Sequence, residues 1–239
     1  MLEAKNLSKS YGPHWALKGL SVQISAGEIF CFLGANGAGK TTTINLFLGF
    51  ADPSEGEAFI DGKLVSADPI AARQDIAYIP EQVALYPELT GYENLEFFAK
   101  LAGKNLTKNE LLECLYKAGL PTDATDKASS SYSKGMRQKV GIAIAVAKTA
   151  KVLLLDEPLS GLDPKAANEF CSLISELRDQ GVAILMATHD LFRAKEISNR
   201  IGIMKAGKLI DVIETKAVTG QQLETLYLDH MHDHAEAAA

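Results

Sequence analysis

The octapeptide Gly34-Ala35-Asn36-Gly37-Ala38-Gly39-Lys40-Thr41 constrains this 239-residue chain more than any other segment. It follows Ile29-Phe30-Cys31-Phe32-Leu33, apolar throughout as in a strand covered on both faces. It precedes a stretch in which Ile44, Phe47 and Leu48 share one face of a helix opening near Gly39, with Gly49 as its stop. Glycines let such a loop curl until its backbone N–H groups converge, an approach that a Cβ would obstruct. The helix that follows aims the positive end of its dipole at the same point. The result is a cradle for a polyphosphate. Gly34, Asn36, Gly37, Ala38, Gly39 and Thr42 line it, Lys40 reaches the β- and γ-phosphates, and the Thr41 hydroxyl is a ligand for Mg²⁺. By itself the cradle implies a nucleoside triphosphate and nothing finer.

The complementary half lies over a hundred residues downstream. Val152-Leu153-Leu154-Leu155 is a buried strand that ends in two adjacent carboxylates, Asp156 and Glu157. Ligands gather at the carboxyl ends of strands in sheets of this kind. Beside a phosphate cradle, Asp156 is expected to hold Mg²⁺ and Glu157 to polarise an attacking water.

Between these halves the chain changes character. Leu20, Val22 and Ile24 alternate as in a half-buried strand, and Asp61-Gly62 reads as a hairpin turn. From about Gln82 to Ser131 the pattern turns helical. Thr90…Glu93 and Thr107…Glu110 each fit a capping box. Leu95, Phe98 and Leu101 are expected to face inward from the first helix, and Leu111, Leu115 and Ala118 from the second. Strand–helix alternation then resumes. Asp163-Pro164 opens a helix carrying Phe170, Leu173, Ile174 and Leu177, Val182–Ala187 is a buried strand, and Ile201–Lys208 reads as the final strand. Such alternation implies an α/β fold with a mostly parallel sheet covered by helices.

Charge and composition exclude several classes. Twenty-four basic and 30 acidic residues give a net charge of −6, which argues against a nonspecific nucleic-acid binder. Cys31, Cys114 and Cys171 match no metal-ligand spacing and suit a reducing compartment. The opening Met1–Lys5 lacks the features of a secretory leader, and no apolar run approaches the ~20 residues that span a bilayer. Residues 229–239 read as a flexible tail. Its histidines, His230, His232 and His234, read as solvated polar residues, with metal ligation as the alternative.

Five elements in order carry a family resemblance. Tyr132-Ser133-Lys134-Gly135-Met136-Arg137-Gln138 resembles the signature sequence of ATP-binding-cassette (ABC) proteins, usually L-S-G-G-Q. Ser160-Gly161-Leu162-Asp163 resembles their D-loop, Thr188-His189-Asp190 their switch histidine, and Tyr11 the aromatic that stacks on adenine. With the cradle and Asp156-Glu157, the likeness spans Tyr11 to His189, a set that ordinary P-loop kinases and GTPases lack. It implies a P-loop NTPase core in a single domain over residues 1–228, with an antiparallel β subdomain and an inserted helical subdomain at about 83–150. It implies ATP and Mg²⁺ as ligands, and Lys40, Glu157 and His189 as catalytic groups. It further implies that Ser133 and Gly135, at a helix start that forms a second anion site, meet ATP held by a second copy of the chain.

The signature departs from the family pattern at Tyr132, Lys134 and Met136 while keeping Ser133 and Gly135. In the segment Ile79–Pro87 either Glu81 or Gln82 occupies the place of the family's Q-loop glutamine, touching Mg²⁺ or water, with Gln82 the first choice. The segments around Leu85–Leu101 and Tyr132–Gln138 look most like ATPases of the type-2 exporter branch. The resemblance thus implies a motor bound to integral membrane subunits at the inner face of the cell membrane. The rival is a soluble single-cassette ATPase serving an assembly or maturation complex.

Overall fold

The computed structural model describes residues 1–232, and their architecture follows from where the apolar residues alternate. A six-stranded sheet has the order β10-β9-β3-β8-β7-β6, formed by β3 (Ile29–Leu33), β6 (Ile76–Ile79), β7 (Val152–Asp156), β8 (Ala183–Thr188), β9 (Arg200–Lys205) and β10 (Lys208–Glu214). Five of these strands are parallel, and β10 pairs antiparallel with β9. The sheet is buried on both faces. Ile29, Cys31, Leu33, Leu153 and Leu155 point to one core, whereas Phe30, Phe32, Val152 and Leu154 point to another. Continuous apolar runs with no polar alternation are the sequence signature of such a two-faced strand. The expected α/β fold with a mostly parallel sheet is what forms.

The second core packs under a four-stranded antiparallel sheet, order β2-β1-β4-β5, built from β1 (Leu2–Tyr11), β2 (His14–Ile24), β4 (Glu55–Ile60) and β5 (Lys63–Leu64). The helix α1 (Lys40–Phe47) is sandwiched there, with Ile44, Leu46 and Phe47 buried. A short helix, α2 (Pro69–Gln74), leads into β6.

The first core continues into three helices. α3 (Gly91–Leu101) and α4 (Lys108–Lys117) both start with the expected capping boxes, in which Thr90 and Thr107 exchange hydrogen bonds with Glu93 and Glu110. α5 (Lys134–Lys148) joins them to the sheet by packing its Gly141 backbone against Ile79. Leu111, Leu115 and Ala118 are buried as expected. Leu101 is not: it is 73% exposed, and Ala99 and Asn94 face inward instead. Asn94 donates to the carbonyls of Tyr86, Leu89 and Thr90 and accepts from the Tyr86 amide, so α3 spends an inward position on pinning the preceding loop.

Two expectations for the C-terminal part need correction. Ile201–Lys208 is not the final strand, because the chain turns at Ala206-Gly207 and returns as β10. Nor does order end at residue 228. After α6 (Pro164–Asp179) and α7 (Leu191–Ile197), the last helix α8 (Gly220–His232) runs past it. Leu223, Tyr227 and Met231, spaced four apart, pack on the first core. Lys205 donates to the carbonyls of His230 and Met231, satisfying groups that a helix end leaves open. His230 is partnered by Asp211 at 3.2 Å, so it is not merely solvated. His234 lies outside the described residues.

Candidate functional site

Strand order decides which side chains meet. β8 lies between β3 and β7, with Leu33 opposite Thr188 and Asp156 opposite Ala187. The three segments that leave the carboxyl ends of these strands therefore start side by side. The Gly34 amide donates to the Thr188 carbonyl and the Glu157 amide to that of Ala187, carrying the ladder past the strand ends. The loops after β3, β7 and β8 deliver the cradle, the acidic pair and His189 to one place.

The cradle needs its glycines for space. A Cβ at Gly39 would lie 2.7 Å from the Ala16 carbonyl oxygen, and one at Gly34 would lie 3.0 Å from the Ala38 side chain and collide with the Met204 carbonyl. Gly39 also holds φ at +105°, which L side chains rarely adopt. The loop closes under a cleft of about 400 Å³ walled by Asn36–Thr42, Asp156, Glu157, Glu81, His14 and Ala16.

Within it Lys40 is buried and self-contained. Its Nζ donates to the carbonyls of Gly34 at 2.5 Å and Ala35 at 3.3 Å, and stands 3.4 Å from Glu157 Oε1. That carboxylate oxygen is buried and has no hydrogen-bond partner. The other, Oε2, meets His189 Nδ1 at 3.0 Å. Glu157 also holds φ at +47°, a strained value for a residue with a side chain. Such strain is found where a side chain has to be aimed. A carboxylate touching a histidine on one oxygen, with the other held by an ion pair rather than a hydrogen bond, can orient a water and take its proton once that pair is broken.

Thr41 Oγ1 donates to Asp156 Oδ1 at 3.2 Å. Burial pushes the Asp156 carboxyl above the usual range, against the opposing pull of the Thr41 hydroxyl, and the charge of Glu157 pushes it further. Two hard oxygens with a carboxylate kept short of solvent suit Mg²⁺. Among the described residues no group of three or more His, Cys, Asp or Glu could cage a metal.

Because Asp156 binds its proton more tightly folded than unfolded, it favours folding at pH values below its unfolded pKa. That contribution is lost as pH rises through the higher folded value, so at neutral pH the ion is a net cost. Asp156→Asn should therefore raise the melting temperature of the ligand-free chain at pH 7 by about 2–4 °C per kcal/mol relieved, and not at pH 3. Differential scanning fluorimetry checks both, and the variant should also lose the extra stabilisation that Mg²⁺ adds to ATP.

The expected residues do not all converge. Lys40, Thr41, Asp156, Glu157 and His189 come together, with Thr42 on the cleft wall. Gln82 does not: it is exposed and off the wall, and its neighbour Glu81 occupies the position instead. Tyr11 sits at the hairpin tip opposite His14, half-exposed, with Lys9 Nζ 5.2 Å from its ring centre, while His14 faces the cleft. Ser133 and Gly135 line no part of this cleft. Ser133 caps α5, its Oγ accepting from the Met136 amide at 3.2 Å. The wall also takes His14 and Ala16, whose only signal in the sequence is the β1–β2 hairpin, and the first strand of that hairpin lacks a regular alternation.

Known proteins share this arrangement. A family model described as ABC transporter matches residues 17–160. The linearmycin resistance ATP-binding protein LnrL of Bacillus subtilis (strain 168) is 34% identical over 214 residues, 89% of this chain and 68% of that protein. The bacitracin transport ATP-binding protein BcrA of Enterococcus faecalis is 35% identical over 214 residues, 89% of this chain and 69% of its own length. Among solved structures, the dimeric post-hydrolysis state of the ATP-binding cassette MJ0796 with ADP and Pi superposes with a TM-score of 0.81 at 29% identity, covering 90% of this chain and 99% of that one. The cradle, the carboxylate pair and the histidine beside them stand in a chain of a known kind of machine: it belongs to the ABC transporter family as an ATP-binding subunit that hydrolyses ATP.

Proposed function

We propose that two copies of this chain close head to tail around two ATP molecules and drive export through separate membrane subunits. The observation that carries this reading is the incompleteness of the single-chain cleft. It holds a cradle, the Thr41 and Asp156 oxygens for Mg²⁺ and a water-orienting pair in Glu157 and His189, yet Ser133 and Gly135 stand outside it. A helix start capped by Ser133 is an anion site in its own right, and its phosphate would come from the opposing copy. The likeness to a dimeric cassette supports that geometry.

In this mechanism the triphosphate draws Lys40 away from Glu157. The freed carboxylate oxygen accepts a proton from the water that His189 helps to align, as that water attacks the γ-phosphorus and the bond from that phosphorus to the bridging oxygen of ADP breaks. Thr41 and Asp156 would hold Mg²⁺, which would neutralise phosphate charge. Tyr11 at the rim and His14 on the wall are the rings available to adenine.

Export rests on the likeness to relatives concerned with linearmycin resistance and bacitracin transport. No helix among the described residues is long and apolar enough to cross a membrane, and the reading gives that path to partner subunits. The surface assigned to them is an apolar groove of about 410 Å³ between β6, α3 and α5, with Phe50 and Leu101 exposed along it. Its charged lining is basic, Arg73 and Lys148, so a complementary membrane-subunit helix carries a carboxylate on an apolar face. The exposure of Leu101 then has a reason.

Membrane fractionation from the source cells tests the reading. The chain should sediment with membranes, and Phe50→Asp with Leu101→Asp should cut the bound fraction about tenfold, as expected for burying charge in an apolar contact. The basal ATPase rate of the purified variant should stay within about twofold of the parent, because neither residue touches the cleft. A parent chain found only in the soluble fraction would overturn the membrane assignment.

A further inference from the structure

Two positions depart from the family pattern, Glu81 where an amide is usual and Lys134 where a glycine is usual, and the structure brings them together. Lys134 Nζ stands 3.6 Å from Glu81 Oε1. The same oxygen accepts a hydrogen bond from Ser160 Oγ at 2.9 Å. One carboxylate thus holds the signature segment and the D-loop of its own chain. Its backbone is fixed as well: Gln138 of α5, 1% exposed, donates to the carbonyls of Glu81 at 3.2 Å and Pro80 at 3.4 Å.

Glu81 also belongs to the other side. It lines the cleft with Lys40, Thr41 and Asp156, and its charge reaches Asp156. Its side chain is half exposed, so the pair with Lys134 is cheap to break. Lys134, meanwhile, is poorly placed for the helix it begins. α3 and α4 carry Glu93 and Glu110 in their first turns, whereas the first turn of α5 has no acid and holds Lys134 and Arg137. Cations there oppose the helix dipole unless an anion is supplied from outside the helix. In the free chain Glu81 supplies it.

Building on the head-to-tail reading above, we propose that Glu81 is a two-position counter-ion that couples the two ATP sites. In the free chain it neutralises Lys134 and holds Ser160. When its own cleft takes up ATP and a divalent cation, the carboxylate turns to that positive charge. Lys134 is then released to meet the phosphate held by the opposing copy, and Ser160 to meet the facing D-loop. Filling one site thereby prepares the same chain to complete the other. In this scheme Glu81 is a positioning residue and Lys134 a phosphate-binding one, both acting on binding and closure rather than on the attacking water.

The test uses the full chain carrying Glu157→Gln, so that closure is read without turnover, with the dimer fraction followed by sedimentation velocity against ATP concentration. With excess Mg²⁺, adding Lys134→Gln should raise the midpoint about tenfold, the loss of one charge-assisted phosphate contact. Lys134→Arg should return it to within about twofold of the parent, which a merely structural role for the lysine would not require. With EDTA in place of Mg²⁺, Glu81→Gln should lower the midpoint about threefold, since Lys134 no longer has to leave a carboxylate. Unchanged midpoints for Lys134→Gln, or a higher midpoint for Glu81→Gln in EDTA, would overturn the coupling while leaving the dimer intact. If Glu157→Gln alone never dimerises on ATP, the head-to-tail reading falls and the coupling with it.

Discussion

Glu157→Gln should bind ATP about as tightly as the parent and turn it over about 10²–10⁴ times more slowly, the range expected for losing a general base. The amide keeps the shape of the side chain, and its carbonyl oxygen can still accept from His189, now 3.0 Å from Glu157 Oε2. What it cannot do is take a proton from water. The backbone at this position already holds φ at +47°, and glutamine pays the same strain as glutamate, so the fold should not shift. Glu157→Asp makes the complementary case: it keeps the charge but withdraws it by one methylene, and should lose turnover as well, because geometry sets proton-transfer efficiency. With hydrolysis blocked, ATP should gather the chain into closed dimers that ADP does not support. Steady-state rates with measured ATP affinity separate the two effects. Normal hydrolysis by Glu157→Gln would remove it from the role of base and leave His189 as the group to test next.

The parts of this site that could be read in the sequence are those where one local pattern dictates one geometry. A glycine-rich loop between a two-faced strand and a helix has few conformations, and Gly34 and Gly39 are excluded from carrying a Cβ by backbone oxygens. The capping boxes at Thr90 and Thr107 formed as written because both hydrogen bonds are closed within four residues. Asp156 and Glu157 followed from an apolar run of strand length. The unread parts depend on partners far along the chain. β1 shows register shifts around Asn6, which holds φ at +49°, so its alternation is broken and nothing local marks it as a strand. That cost the hairpin, and with it His14 and Ala16 on the cleft wall. β10 is mostly exposed, and its place is fixed by pairing with β9 rather than by burial. The choice between Glu81 and Gln82 turns on which of two neighbours faces inward, and that is decided by α5, whose Gln138 seizes the Glu81 carbonyl from 57 residues away.

Lys40→Met should abolish ATP binding at millimolar nucleotide, and it should also destabilise the empty chain. The first effect follows from charge. The cleft presents Glu81, Asp156 and Glu157 to an incoming polyanion, and Lys40 is the cation buried at its floor. Without it, three carboxylates and a triphosphate face one another with only backbone dipoles and Mg²⁺ between them. The parent at 100 times its dissociation constant gains about 2.7 kcal/mol from the ligand, or roughly 5–10 °C in melting temperature for a chain of this size. Lys40→Met should show none of it. The second effect comes from Glu157, whose Oε1 is buried without a hydrogen bond and has Lys40 Nζ 3.4 Å away as its counter-charge. Removing the lysine leaves that oxygen charged and unpaired, a cost of about 1–3 kcal/mol that should lower the ligand-free melting temperature by several degrees. The two effects come apart in the double variant. Lys40→Met with Glu157→Gln removes the stranded charge and should recover most of the ligand-free stability, yet it should remain unable to bind ATP. A double variant no more stable than Lys40→Met alone would mean that the lysine holds the loop through the Gly34 and Ala35 carbonyls and not through Glu157. In that case the triphosphate would have no ion pair to break on entering, and release of Glu157 by the incoming phosphate would drop out of the mechanism.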